Sequence, residues 1–187
     1  MLTEHEFKVL RALAAGECRS QRALADAAGI SLGSANAALK ALAEKGMVAG
    51  LSIAQAGIDA LAPYKVDNAV IMAAGLSSRF APISYEKPKG LLVVRGEVLI
   101  ERQIRQLQEA GITDITVVVG YKKEHFFYLE RAFGVKIVVN EQYASRNNNS
   151  SLMAVREKLG NTYICSSDDY FTVNPFESCV YKAFYAS

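Results

Sequence analysis

The sequence predicts an α/β protein in two parts: an all-helical unit with a short strand pair over residues 1–62, and a parallel-sheet unit over residues 66–187. Three observations predict it. Alanine-rich stretches with apolar residues at helical spacing fill the first part. In the second, β-branched runs of five or six residues, without alternation, take turns with helical stretches, the pattern of strands covered on both faces. Between the two, "APYKVDN" (Ala62–Asn68) places a proline and polar residues where the style of sequence changes.

The elements follow in order. Phe7, Leu10, Leu13 and Ala14 share one face of a first helix that Gly16 can end. Ser20 caps a second, "QRALADAAG", closed by Gly29. Ser31 caps a third, with Leu32, Ala35, Leu39 and Leu42 on one face and Gly46 as its stop. "MVAGLSI" offers a short strand pair and "AGIDALAPY" a last helix. A short helix, the turn "AGIS" and a longer helix form a helix-turn-helix pattern. Residues 1–62 therefore look like a winged helix-turn-helix of the MarR-like type. Ser31, Ser34, Asn36 and Lys40 are the outward residues of the third helix and the candidates for DNA contact, with Arg22 and Arg19 near phosphate. Seven Lys/Arg against six Asp/Glu in residues 1–65 make no strong basic stripe. A solvated helix used for docking or for a homodimer through the terminal helices stays open as the other reading.

In the second part "AVIMAA", "DITVVVG", "VKIVVN" and "TYICSSDDY" read as strands, and "VLIERQIRQLQEAG", "KKEHFFYLERAFG" and "SLMAVREKLG" as helices. Strand–helix–strand repetition gives a parallel sheet with right-handed crossovers. Phe126, Phe127 and Phe133 fall at helical spacing and are expected in the core.

Composition excludes several classes. The chain has 187 residues, is 51% hydrophobic and 21% charged, and carries a net charge of +2, too small for nucleic-acid binding by bulk charge. No apolar run approaches the roughly 20 residues that span a bilayer, so no membrane partner is expected. Three widely spaced cysteines without a CxxC suit a reduced, cytoplasmic protein. His5 and His125 lie too far apart in sequence to suggest zinc.

In open parallel sheets ligands sit at the carboxyl ends of the strands. Those ends are Ala73–Gly75 with the loop to Lys89, Gly120–Tyr121, Asn140 leading into "SRNNNSS", and Asp168–Asp169. Gly, Arg, Lys, Asn and Asp so gathered fit a phosphate-bearing ligand with a metal ion. "AAGLSSRF" lacks the lysine of a Walker loop and is not GxGxxG.

That loop resembles the "AAGxGxR" signature of nucleotidyltransferases that activate sugars and alcohol phosphates, and "EKPKGLL" resembles their "PKxL" element. "VVGY", "NNNSSL" and "DDYF", in order across residues 68–176, are most similar to LicC-type CTP:phosphocholine cytidylyltransferases. Ser77 departs from the glycine of the signature, though its hydroxyl could donate to a phosphate. The resemblance implies the N-terminal part of a Rossmann-like nucleotidyltransferase domain. It also implies a triphosphate cradled by Ala73, Ala74, Gly75, Ser77 and Ser78, and Arg79 on the β- and γ-phosphates. Lys89 would lie on the α-phosphate, and Asp168 would be a Mg²⁺ ligand. Lys87 is the lesser partner, and Asp169 shares the metal or caps the following turn. Gly120, Tyr121, Asn148 and Ser151 lie where such enzymes hold the nucleobase; helix capping within a loop is the competing explanation for "NNNSS". Cys165 is expected to pack as a small core residue.

The implied partners are CTP, or another NTP, with phosphocholine or a sugar phosphate as acceptor. Relatives continue well past the metal aspartate, so the chain is expected to be a fragment that lacks the acceptor half. A transcription regulator that senses a nucleotide without turning it over, and a sugar-phosphate nucleotidyltransferase, remain as other readings.

Overall fold

The computed structural model describes residues 1–16, 18–76, 81–82, 85–144 and 149–185. These form two compact units, Met1–Lys65 together with Cys179–Tyr185, and Val66–Ser178.

In the first unit α1 (Glu4–Ala14), α2 (Gln21–Ala28) and α3 (Leu32–Glu44) are followed by the antiparallel pair β1 (Val48–Ala49) and β2 (Ser52–Ile53), and by α4 (Gln55–Leu61). The starts are where the capping residues put them: Ser20 accepts from the Ala23 N–H and Ser31 from the Ser34 N–H. Gly29 closes α2 in the left-handed region at φ 62°. At α1 Thr3 and Glu6 form a reciprocal capping box, which the sequence reading passed over. Phe7, Val9, Leu10, Leu13, Leu24 and Leu42 make the core. Leu32, expected on the same face as Ala35, Leu39 and Leu42, is instead 38% exposed. It stands at the first position of α3, outside the residues that pack together.

A second difference concerns the tail. Residues 66–187 were expected to form one unit, yet Cys179–Tyr185 belongs with the first. Cys179 bridges Lys65 antiparallel, and the Val180 N–H donates to the Tyr64 carbonyl at 2.8 Å. Tyr181 stacks on Tyr64 at 5.7 Å, lies 5.5 Å from Phe7, and its hydroxyl donates to the Leu2 carbonyl at 3.2 Å. The reason is physical: Phe7 and Tyr64 leave an aromatic surface that the tyrosine covers while its hydroxyl keeps a polar partner.

The second unit is built on four parallel strands, β3 (Asn68–Ala73), β6 (Ile115–Val119), β7 (Lys136–Val139) and β8 (Thr162–Ser166), in the order β7-β6-β3-β8. The chain thus moves outward on one side of β3 and then returns to its other side. That reversal is a topological switch point, the place where open α/β sheets bind ligands. Between these strands come β4 (Val93–Val94) and β5 (Glu97–Val98), α5 (Leu99–Glu109), α6 (Tyr128–Phe133) and α7 (Asn149–Met153). Val70, Ile71, Val117, Val118 and Val119 are fully buried, as strands covered on both faces require. The β4–β5 hairpin was not foreseen; Arg95 and Gly96, at φ 52° and 86°, make the two-residue turn that matches strand twist. The helix expected over "KKEHFFYLERAFG" breaks into a 3₁₀ turn, Lys123–Phe126, and α6. The tighter turn rephases the face, so Phe126 is buried while Phe127 is 43% exposed, against the expectation of core.

Candidate active site

Every strand-end residue follows from where its strand stops. β3 ends at Ala73, and the Ala74 carbonyl accepts from the Tyr121 N–H at 3.3 Å, joining the ends of β3 and β6. Ala73 and Ala74 have buried side chains, so only their backbones can face a ligand. Gly75 is exposed, and a Cβ there would meet nothing within 4 Å. Ser77, Ser78, Arg79 and Asn148 lie outside the described residues.

Lys89 stands in a short 3₁₀ turn, Lys89–Leu91, behind Pro88. The turn sits hard against the end of β8: a Cβ on Gly90 would come within 2.8 Å of the Ser167 Cβ and 2.9 Å of its hydroxyl. Only glycine lets the two backbones approach this closely. The approach puts the Lys89 ammonium 3.2 Å from Asp168 Oδ2. The Ser166 hydroxyl donates to the other oxygen, Asp168 Oδ1, at 2.5 Å. Burial pushes the Asp168 carboxyl up, but the Ser166 hydroxyl and the Lys89 ammonium outweigh it, and its pKa falls below the usual aspartate value. Asp169 goes the other way, raised by burial and by the charge of Asp168. Two adjacent carboxylates are thereby split into one held ionised and one held closer to neutrality. Cys165, one strand position earlier than Ser166, is buried, and burial and then Asp169 push its thiol up to about 12, so it is an inert core group.

The ends of β6 and β7 close a second part of the site. A Cβ on Gly120 would stand 2.6 Å from the Tyr143 Cβ and 2.9 Å from the Ala74 carbonyl oxygen, so glycine is required there as well. Tyr121 follows it, half-buried. The Asn140 amide, only 4% exposed, donates to Ser150 Oγ at 2.9 Å and Ser151 Oγ at 3.1 Å, and its oxygen accepts from the Gln142 N–H at 2.9 Å. Ser151, expected to touch a nucleotide, is thus buried and turned to Asn140. A side chain so engaged ties the start of α7 to the end of β7. Exposed Lys87 takes the solvated place expected of it.

Several contributors escaped the sequence reading. Lys122, in the left-handed region at φ 52°, donates to the Tyr85 carbonyl and, at 3.2 Å, to the Glu86 carbonyl, tying the β6 exit to the loop before Lys89. α5 grips the exit of β8: Gln103 donates to the Ser166 carbonyl at 3.1 Å, Gln106 to the Phe171 carbonyl at 3.2 Å, and the Arg102 fork to Phe171 at 3.1 and 2.9 Å. Arg102 also lies 4.8 Å over the Tyr170 ring and pairs with Glu97 at 2.5 Å. Gln103 is 1% exposed and its Oε1 has no partner among the described residues, an arrangement that costs about 1–3 kcal/mol and that apolar packing alone would not select. The signal was the run "RQIRQLQ", in which glutamines fall on the buried stripe of an amphipathic helix.

In the first unit Arg22, Asn36 and Lys40 are exposed, as a DNA-facing surface requires. Ser31 and Ser34 hydrogen-bond each other at 2.9 Å in the cap of α3, which commits both hydroxyls to the helix start. Among the described residues no helix is long and apolar enough to cross a membrane.

Comparison with known proteins agrees with this geometry. Residues 69–173 match the MobA-like NTP transferase domain, and residues 2–49 the winged helix-turn-helix DNA-binding family. A choline-phosphate cytidylyltransferase of Streptococcus pneumoniae is 44% identical over 120 residues, which cover 64% of this chain and 52% of that protein. A 2-aminoethylphosphonate cytidylyltransferase of Lancefieldella rimae is 43% identical over 123 residues, 61% of this chain and 50% of that one. The solved structure of the CTP:phosphocholine cytidylyltransferase LicC from S. pneumoniae superimposes with a TM-score of 0.58 at 45% identity, over 59% of this chain and 49% of that one. The chain spans about half the length of the relatives it matches.

Proposed function

Because the chain belongs to the MobA-like NTP transferase domain family, we propose that its second unit carries the nucleotide half of a cytidylyltransferase that joins CTP and phosphocholine to give CDP-choline and pyrophosphate. One observation carries the reading: an ammonium and a carboxylate held ionised, Lys89 and Asp168, meet 3.2 Å apart at the switch point of a parallel sheet. The choice of cytidine is supported by the relatives that share 43–44% identity, both of which are cytidylyltransferases, and the choice of choline by the 44% identical one alone, since the other acts on 2-aminoethylphosphonate.

In this reaction a phosphate oxygen of phosphocholine forms a bond to the α-phosphorus of CTP. The bond from that phosphorus to the oxygen bridging to the β-phosphate breaks, and pyrophosphate leaves. The attacking oxygen is already anionic, so no side chain need remove a proton. Lys89 places its charge on the α-phosphate, where negative charge grows in the transition state. The Gly75 backbone gives the triphosphate room, Arg79 grips its distal phosphates, and Gly120 and Tyr121 border the base.

Asp168 is the residue to hold Mg²⁺, which when bound neutralises phosphate oxygens. The fit is chemical: Asp168 is held ionised and half-exposed, and Mg²⁺ takes one or two carboxylates with phosphate oxygens and water. Mg²⁺ keeps several waters and takes phosphate oxygens beside its one or two carboxylates, so the remaining ligands would come from the substrate and solvent.

Turnover with CTP, UTP, ATP and dTTP, each against phosphocholine and glucose 1-phosphate, tests the assignment. CTP with phosphocholine should lead. A sugar-phosphate preference, the chemistry of a relative that is 31% identical and acts on UTP and glucose 1-phosphate, would replace the acceptor and keep the fold. A second reading is favoured by the winged-helix match: a DNA-binding regulator, homodimeric through the first unit, whose second unit senses a nucleotide. Wild-type nucleotide binding with no turnover at any length of chain would decide for it.

A further inference from the structure

We propose that Ser166 is the positioning residue that fixes which way the Asp168 carboxylate faces, and that buried Gln103 holds Ser166 in place to do it; the inference rests on the nucleotidyl-transfer reading for its consequence and on geometry for its substance. Ser166 is the last residue of β8, and three bonds meet on it. Its hydroxyl donates to Asp168 Oδ1 at 2.5 Å. Its carbonyl accepts from Gln103 Nε2 at 3.1 Å and from the Asp169 N–H at 3.3 Å. On the sheet side it is registered against Met72 of β3.

The consequence is directional. With Oδ1 taken by Ser166, Oδ2 is the oxygen that meets Lys89 at 3.2 Å. An aspartate on a loop would otherwise turn about its first torsion between several staggered positions. The carbonyl bonds fix the backbone turn, the hydroxyl fixes the side chain, and together they decide that Asp168, not its neighbour Asp169, faces Lys89. Gln103 reaches Ser166 from a helix position 1% exposed, so the chain of contacts runs from the core to the cleft. The other amide atom, Oε1, has no hydrogen-bond partner among the described residues.

Two measurements on the 187-residue chain test this. In isotopically labelled protein without nucleotide or metal, three-bond couplings to the Asp168 carboxyl carbon report its first torsion. A single rotamer is expected in the wild type and in Ser166→Thr, which keeps the hydroxyl, and rotamer averaging in Ser166→Ala. A fixed rotamer in Ser166→Ala, or averaging already in the wild type, overturns the proposal, and this readout does not depend on any substrate. Calorimetry with CTP in the presence of Mg²⁺ and in its absence then reads the consequence. Ser166→Ala should weaken the magnesium-dependent part of binding by about 10-fold or more, the scale at which groups behind a metal ligand act, with Ser166→Thr restoring it. Equal magnesium-dependent binding by wild type and Ser166→Ala overturns the consequence. Absence of CTP binding by the wild type alongside the expected couplings would overturn the nucleotidyl-transfer reading and leave the positioning role standing.

Discussion

Replacing Asp168 by asparagine keeps the shape of the side chain and removes its charge. The structure separates what this does to folding from what it does to function. The lysine and aspartate side chains that pair here are 32% and 36% exposed, and an ion pair so open to water contributes about 0–1 kcal/mol. Ser166 can still donate to the amide oxygen, so that bond survives. Unfolding in denaturant should therefore shift by no more than about 1 kcal/mol. Function should fall by far more, because the charge is used against phosphate and cation in a fixed geometry. Loss of such a preorganised group costs on the order of 100-fold, about 2.7 kcal/mol, and the same is expected of Lys89→Ala. Calorimetry with Mg²⁺–CTP on this chain, and turnover on whichever length of it is active, measure the effect. pH gives an independent check. Asp169 is shifted up and Asp168 down, so acidification protonates Asp169 first. Binding carried by Asp168 persists as the pH falls through the ordinary aspartate range; loss in step with a raised carboxyl would point to Asp169. Wild-type binding and turnover in Asp168→Asn, or a collapse of stability in its place, would refute the reasoning.

Three other perturbations have clear expectations. Gly90→Ala must open the 2.8 Å approach to Ser167, so it should separate Lys89 from Asp168, cost about 1–3 kcal/mol of stability and weaken CTP binding; an unchanged unfolding midpoint would contradict the packing. Glu6 is 4% exposed, bonded to Lys45 at 2.5 Å and to the Thr3 N–H at 2.9 Å; burial raises its carboxyl, but those partners outweigh it and its pKa lies below the usual 4.5. A lowered folded value means stability present above the unfolded pKa and lost as pH falls through the folded one, so Glu6→Gln should cost about 1–3 kcal/mol at neutral pH and little in acid. Equal losses at both pH values, by urea unfolding, would contradict it. If the first unit binds DNA, Arg22→Ala and Lys40→Ala should weaken an electrophoretic shift that is itself steeply salt-dependent. No shift of any duplex at low salt would leave the unit as a docking module.

The sequence by itself determined the helices of the first unit and the four parallel strands, because each carries its own local signal, though not the β4–β5 hairpin or the 3₁₀ break before α6. Ser20 and Ser31 start helices wherever they sit before an apolar period, Gly29 ends one, and the apolar runs at 69–73 and 115–119 read as buried strands. It also marked the cleft, since loops at the carboxyl ends of parallel strands must carry the polar residues that the strands cannot. Lys89 and Asp168 were legible for that reason, 79 positions apart, one in the loop that follows β3 and the other at the exit of β8. What the sequence could not contain was pairing across distance. That Gly90 is a glycine for the sake of Ser167, that Asn140 takes up the hydroxyl of Ser151, and that Gln103 is buried in order to reach Ser166 are facts about partners 11 to 77 positions away, and no local period encodes them. The tail was misassigned on the same ground. Nothing in "CVYKAFY" says which core it joins; only the aromatic surface made by Phe7 and Tyr64, once folded, decides that Tyr181 covers it. Periodicity is written into the chain one turn at a time, whereas side-chain complementarity exists only after the chain has brought its surfaces together.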